Sequence, residues 1–157
     1  MSGFVLNYAN LKSWAERLGL PFRSSDEASQ IAVLCHLLDR DVPLVFIPRL
    51  ERGMMTMAVT MPFAVPAERF GAIGEALTLL NARSYMGAWI LNADKGEIYF
   101  RITVPALDVS YTDQSLRFVA SVVASSAEAM AKALHAVALE GAAPNTVAQS
   151  ATTISST

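Results

Sequence analysis

Apolar residues in this chain recur first at helical and then at alternate spacing. Phe4, Tyr8, Leu11, Trp14, Ala15 and Leu18 fall on one helical face, and Gly19 stands where a C-terminal cap belongs. The spacing predicts a helix over Tyr8 to Leu18, started by Asn7 or Asn10. Ser24 and Glu27 have capping-box spacing, which fits a helix through Ile31 to Leu38, whereas the β-branched run there fits a strand equally. The compact turn Asp39-Arg40-Asp41, leading into the apolar run VPLVFIP, favours the strand. Val42 to Pro48 and Met54 to Met61 then read as two strands around Glu51-Arg52-Gly53. In the second of these, Met55, Met57, Val59 and Met61 alternate with Thr56, Ala58 and Thr60, the period of a half-buried antiparallel strand. The methionine face is read as core rather than as an adaptable binding surface.

A second helix is expected from Pro66, whose missing N–H costs nothing in a first turn. Glu68 there complements the helix dipole, Glu68 and Arg69 are expected to be solvated, and Phe70, Ile73, Leu77 and Leu80 form its apolar stripe as far as Asn81. A hairpin follows. Asp94-Lys95-Gly96 reads as a three-residue loop with Gly96 left-handed, which pairs Ala93 with Glu97. In that register Ile90 faces Phe100 on the core side, while Trp89 lies opposite Arg101 and Leu91 opposite Tyr99 on the other. A two-residue loop would instead set Trp89 opposite Phe100. Trp89, Leu91, Tyr99 and Arg101 therefore form the candidate protein-contact surface, a composition typical of contact hot spots. Thr112 or Asp113 starts a last helix carrying Leu116, Val119 and Val123, with a break expected near Ser125, where Ser125 and Glu128 repeat a capping-box pattern. Met130, Leu134 and Val137 continue it to about Glu140. Residues 1–141 are thus expected to form a single domain, and the small and polar residues 142–157 a tail without fixed structure.

Composition narrows the possible functions. The chain has 157 residues, 53% of them hydrophobic and 17% charged, with a formal net charge of −2. Its mean hydropathy of +0.36 is best explained by apolar surface buried between subunits. No run approaches the roughly 18 to 20 uninterrupted apolar residues of a spanning helix. Ser125, Ser126, Glu128, Lys132 and Glu140 interrupt the richest stretch, Phe118 to Ala143. MSGFVLNYAN lacks the basic start and cleavage site of a secretory leader, and because the lone Cys35 allows no intrachain disulfide framework the expected compartment is the cytoplasm. The scattered charges leave no footprint for nucleic acid.

Reaction chemistry finds little support. Cys35, within the apolar run IAVLCHLL, reads as a buried, inert thiol. His36 and His135 lack a carboxylate or thiol at ligand spacing and read as unrelated structural or surface residues. Asp26, Glu27, Asp39 and Asp41 suit caps and turns. Gly71-Ala72-Ile73-Gly74 matches a GXXG loop only superficially, since it lies in a helical stripe, and close packing of helix on sheet is the expected reason for its glycines. No catalytic residue, metal site or cofactor site is expected.

The stretch Val65 to Pro105 is the most specific. VPAERF opens a helix, LTLLN closes it, and SYMGAWILNADKGEIYFRITVP forms the hairpin. With looser similarity from Tyr8 to Glu140, this combination resembles the YbjN family, whose members have the fold of type III secretion chaperones. The resemblance implies an α+β fold in which helices pack on one antiparallel sheet, in the order α-β-β-β-α-β-β-α. It also implies a homodimer without catalysis, of a family regarded as sensory-transduction regulators. The expected function is non-enzymatic protein binding or regulation, by capture of an apolar segment through strand addition or hydrophobic grooves. A dedicated type III secretion effector chaperone and a small-molecule-sensing regulatory domain are the alternatives. Such chaperones tend to be distinctly acidic, whereas this chain has a pI of only 5.6.

Overall fold

A computed structural model of the protein describes residues 3–154. Asn7 starts the first helix, α1 (Tyr8–Arg17), by accepting from the Asn10 backbone N–H, and Gly19 follows it at φ +62°. Phe4 does not belong to that helix. It lies in β1 (Phe4–Val5), which pairs with β8 (Ser110–Tyr111) and ties the start of the chain to the start of the last long helix.

Strands β2 (Phe22–Ser25), β3 (Gln30–Leu37), β4 (Arg40–Arg49) and β5 (Met54–Ala64) follow in sequence. The run Ile31 to Leu37 is thus a strand, and the capping-box pattern before it starts no helix. The turn after it is Leu38-Asp39, both left-handed (φ +49° and +61°), one step earlier than the acidic residues suggest. Helix α2 (Phe70–Asn81) is entered through Pro66 and a short 3₁₀ turn, Ala67–Arg69. Strands β6 (Ala88–Asn92) and β7 (Glu97–Pro105) complete an antiparallel sheet of order β2-β3-β4-β5-β7-β6. The fold is the expected α+β arrangement with three strands more than expected: the paired β1 and β8, and in the main sheet β2. Its polar sequence FRSS carries no strand period and is held by pairing with β3.

Prolines sit where the ladder does not need their N–H. Pro43 has a neighbour only in β3, Pro48 only in β5, and Pro62 lies within the register shift between β5 and β7. Inner-face positions fill the core: Ile31, Leu44, Phe46, Met55, Met57, Val59, Ile98, Phe100 and Ile102 are each at most 3% exposed. Met61 joins them, so the methionine face is core.

Helix α3 (Asp113–Leu139) is capped by Thr112 through a reciprocal bond with Ser115, and it crosses β3, β4, β5 and β7. It runs unbroken through Ser125, because Val119, Val123, Ala127 and Met130 keep one buried stripe across the expected break. By length and composition it alone among the described helices could reach across a bilayer, yet here that stripe lies on the sheet. Of the expected tail 142–157, residues 155–157 lie outside the described residues, and those before them are not structureless. They form α4 (Thr146–Ile154), with Val147 fully buried against the domain. Arg69, expected to be solvated, holds this end. Its Nε donates to the Val137 carbonyl at 2.9 Å and its Nη2 to that of Ala142 at 3.1 Å, while Arg83 reaches the Ala148 carbonyl at 2.8 Å.

Candidate protein-contact site

The β6–β7 hairpin sets which side chains share a face. Gly96 is left-handed, as expected, at φ +64°. The loop nevertheless has four residues, Ala93 to Gly96, because the last ladder pair is Asn92 with Glu97 and the Lys95 N–H bonds the Asn92 carbonyl. The expected register is therefore off by one, and every pairing drawn from it changes: Trp89 lies opposite Phe100, Ile90 opposite Tyr99, Leu91 opposite Ile98 and Ala88 opposite Arg101. A glycine at the end of the loop serves three- and four-residue connections alike, so it does not determine the register.

The four expected contact residues consequently separate. Trp89 is only 5% exposed and packs on Phe100, with ring centroids 5.0 Å apart. Leu91 points to the same helix-covered side and packs against the core. Tyr99 and Arg101 lie on the opposite face, which no described helix covers.

Local packing explains the residues around Trp89. The Asn81 side chain accepts from the Trp89 N–H at 2.7 Å and donates to the Trp89 carbonyl at 2.9 Å. Both backbone groups point away from β7, so Asn81 stands in for a neighbouring strand and blocks the middle of this sheet edge. Gly87 takes φ +81°, and a Cβ there would lie 2.6 Å from the Arg101 carbonyl oxygen. Gly71 and Gly74 differ. A Cβ at either would meet nothing within 4 Å, so close packing does not account for them.

On the uncovered face, β4, β5, β7 and the 3₁₀ turn Leu50–Arg52 between β4 and β5 line a groove of about 630 Å³. Ile47, Met54 and Ala58 supply its apolar floor, and Tyr99, Thr56 and Thr103 its hydroxyls, the two threonines bonded to each other at 3.1 Å. Arg49, Arg52 and Arg101 stand there against Glu51 and Glu97. None of these five charged side chains has an ion-pair or hydrogen-bond partner among the described residues. The groove thus carries excess positive charge on a chain of formal net charge −2.

Elsewhere the titratable groups are held locally. His36 faces Asp41 at 3.1 Å, and His135 faces Glu140 at 2.9 Å and Phe63 edge-on. Cys35 is half-buried rather than buried, and its thiol bonds the Val42 carbonyl. Burial raises its pKa against the lowering effect of a backbone hydrogen bond, and the Glu128 and Asp41 carboxylates raise it further. Burial likewise raises the Tyr111 phenol, which donates to the Pro105 carbonyl. No cluster of three metal-ligating side chains occurs among the described residues.

No curated protein matches the chain. Solved structures that share its fold include two of low sequence identity. One is YbjN from E. coli, named as "a putative transcription regulator", with TM-score 0.56 and 13% identity over 80% of this chain and 94% of that one. The other is the ExsC-ExsE complex, with TM-score 0.59 and 19% identity over 81% of this chain and 92% of that one. The α+β, type III secretion chaperone-like fold expected from the sequence is the one these similarities support. The family model described as "Putative bacterial sensory transduction regulator" matches residues 7–136, and the chain belongs to that family, YbjN.

Proposed function

We propose that this chain is a non-enzymatic regulatory domain that acts as a cytoplasmic homodimer and holds an extended segment of a partner protein against its uncovered sheet face. The observation that carries this reading is the groove around Tyr99 and Arg101, with an apolar floor and three unpartnered arginines. Its chemistry suits an extended segment whose groove-facing side chains, every second residue, include both apolar groups and carboxylates. Family membership supports a regulatory role, and the ExsC-ExsE neighbour is itself an assembly of two proteins. With the β6 edge blocked by Asn81, side-chain contacts across the face take the place of strand addition there.

The test uses a labelled peptide of about eight residues, Ser-Val-Ser-Asp repeated, which sets valines and aspartates on the same face of an extended strand and is long enough to cross several strands. Fluorescence anisotropy should show saturable binding that weakens with salt and falls roughly tenfold or more in Arg101→Glu. Absence of binding, or equal binding by Arg101→Glu, would count against the reading. Sedimentation equilibrium should give twice the chain mass of 16.9 kDa, and a monomer at all concentrations would remove the homodimer. A dedicated effector chaperone is the second reading, favoured by the ExsC similarity. It requires one stoichiometric partner to co-purify from the native host.

A further inference from the structure

The groove on the uncovered face is dipolar along its length, and the ladder registers fix where each charge stands. Its positive end lies where β4 turns into β5. There Arg49 pairs with Met54, which on its other side lies opposite Pro105, and Arg52 follows on the turn. Glu51 shares that turn, so the end keeps a net positive charge. From there the outward positions of β7 run Thr103, Arg101, Tyr99 and Glu97. Glu97 thus stands at the far end, four residues from Arg101, about 13 Å along the strand. The two form no ion pair, and Asp94 and Lys95 of the adjoining loop do not line the groove. From Pro105 to Glu97 is eight residues, about 26 Å, so an extended segment of about eight residues covers both ends.

We infer that the bound segment is itself dipolar, with a lysine or arginine seated on Glu97 four residues from the carboxylate that meets Arg101. This rests on the reading above, that the face holds an extended peptide. An extended segment rises per residue as β7 does, so its side chains stay in step with the outward positions beneath them. A carboxylate over Arg101 therefore sets the residue four further on over Glu97, on the same face. A second carboxylate there would be repelled, and an apolar side chain would leave Glu97 without a partner. A cation completes the charge pattern. Glu97 is then the residue that fixes which way the segment lies, because its acidic end is drawn to Arg49 and Arg52 and its basic end to Glu97.

The experiment is fluorescence anisotropy of the full chain with peptides in matched pairs, their termini blocked and the label at the end remote from the lysine. In Lys-Ser-Val-Ser-Asp-Ser-Val-Ser-Asp the lysine shares a face with the aspartates, four residues from the nearer one. In Ser-Lys-Val-Ser-Asp-Ser-Val-Ser-Asp it has moved by one residue to the other face. Asp-Ser-Val-Ser-Asp-Ser-Val-Ser-Lys and Asp-Ser-Val-Ser-Asp-Ser-Val-Lys-Ser make the same comparison in the opposite chain direction. Each pair has one composition and one net charge, so unspecific attraction to the arginines is equal within it. In at least one direction the same-face lysine should bind roughly threefold or more tightly than its shifted counterpart. Glu97→Gln should remove that preference and Glu97→Lys invert it, while both retain binding of the Ser-Val-Ser-Asp peptide. Saturable binding with no preference in either direction, or a preference that survives Glu97→Gln, would overturn the inference and leave the peptide-binding reading standing. Absence of binding by every peptide would overturn both.

Discussion

Strands β5 and β7 carry two different chemistries on alternate residues. On the covered side Met55, Met57, Val59, Ile98, Phe100 and Ile102 are buried beneath α3. On the open side Thr56, Ala58, Thr60, Tyr99, Arg101 and Thr103 face outward, and the arginine has no partner among the described residues. The covered side accounts for stability through apolar burial. The open side adds little to stability, yet it holds charge and hydroxyls where a core would not place them. Stability and recognition thus lie one residue apart, and a one-residue slip would exchange them.

The largest way to break this contrast is to truncate neighbours on opposite faces. Phe100→Ala should cost about 3 to 5 kcal/mol, as aromatic truncation in a core does. Tyr99→Ala should cost no more than about 1 kcal/mol in the same urea titration. Similar losses at both positions would contradict the division. Gly87→Ala comes next, at about 2 kcal/mol or more, since it combines a left-handed backbone with a Cβ against the Arg101 carbonyl. Asn81→Leu should cost about 2 kcal/mol by orphaning the Trp89 N–H and carbonyl, and should promote self-association through the freed edge.

Smaller effects sharpen the account. Gly71→Ala should stabilise the chain by about 0.5 to 1 kcal/mol, because the helix gains propensity and the new Cβ meets nothing. Cys35 should alkylate slowly at neutral pH in the folded chain and at the ordinary rate in urea. Its raised pKa favours the protonated thiol, so stability present below the unfolded-chain thiol pKa of about 8.5 declines as pH rises through the folded value.

Much of the fold was legible because local signals agreed with tertiary need. Asn7, Gly19 and Thr112 act where caps were expected, and the Met55 to Met61 alternation reports its buried face directly. The misreadings share a cause, since each local signal admitted two outcomes. Gly96 fits two loop lengths, so the face of Trp89 was lost. Ser125 has the character of a cap, but within α3 its hydroxyl bonds back to the Val122 carbonyl and the buried stripe continues. Helix α4 depends on Arg69 and Arg83, more than sixty residues away in sequence, which no local pattern announces. Tyr99 and Arg101 were legible as surface residues. The groove they share with Arg49 and Arg52 needed the β4–β5–β7 pairing.

The central claim is that the uncovered face recognises an extended acidic and apolar segment through its arginines. A charge-swap titration tests it most directly, using Arg52→Glu/Arg101→Glu with valine–aspartate and valine–lysine peptides. The account predicts that the native chain prefers the aspartate peptide and the double variant the lysine peptide, with melting temperature nearly unchanged. Equal affinity of both proteins for both peptides would contradict it.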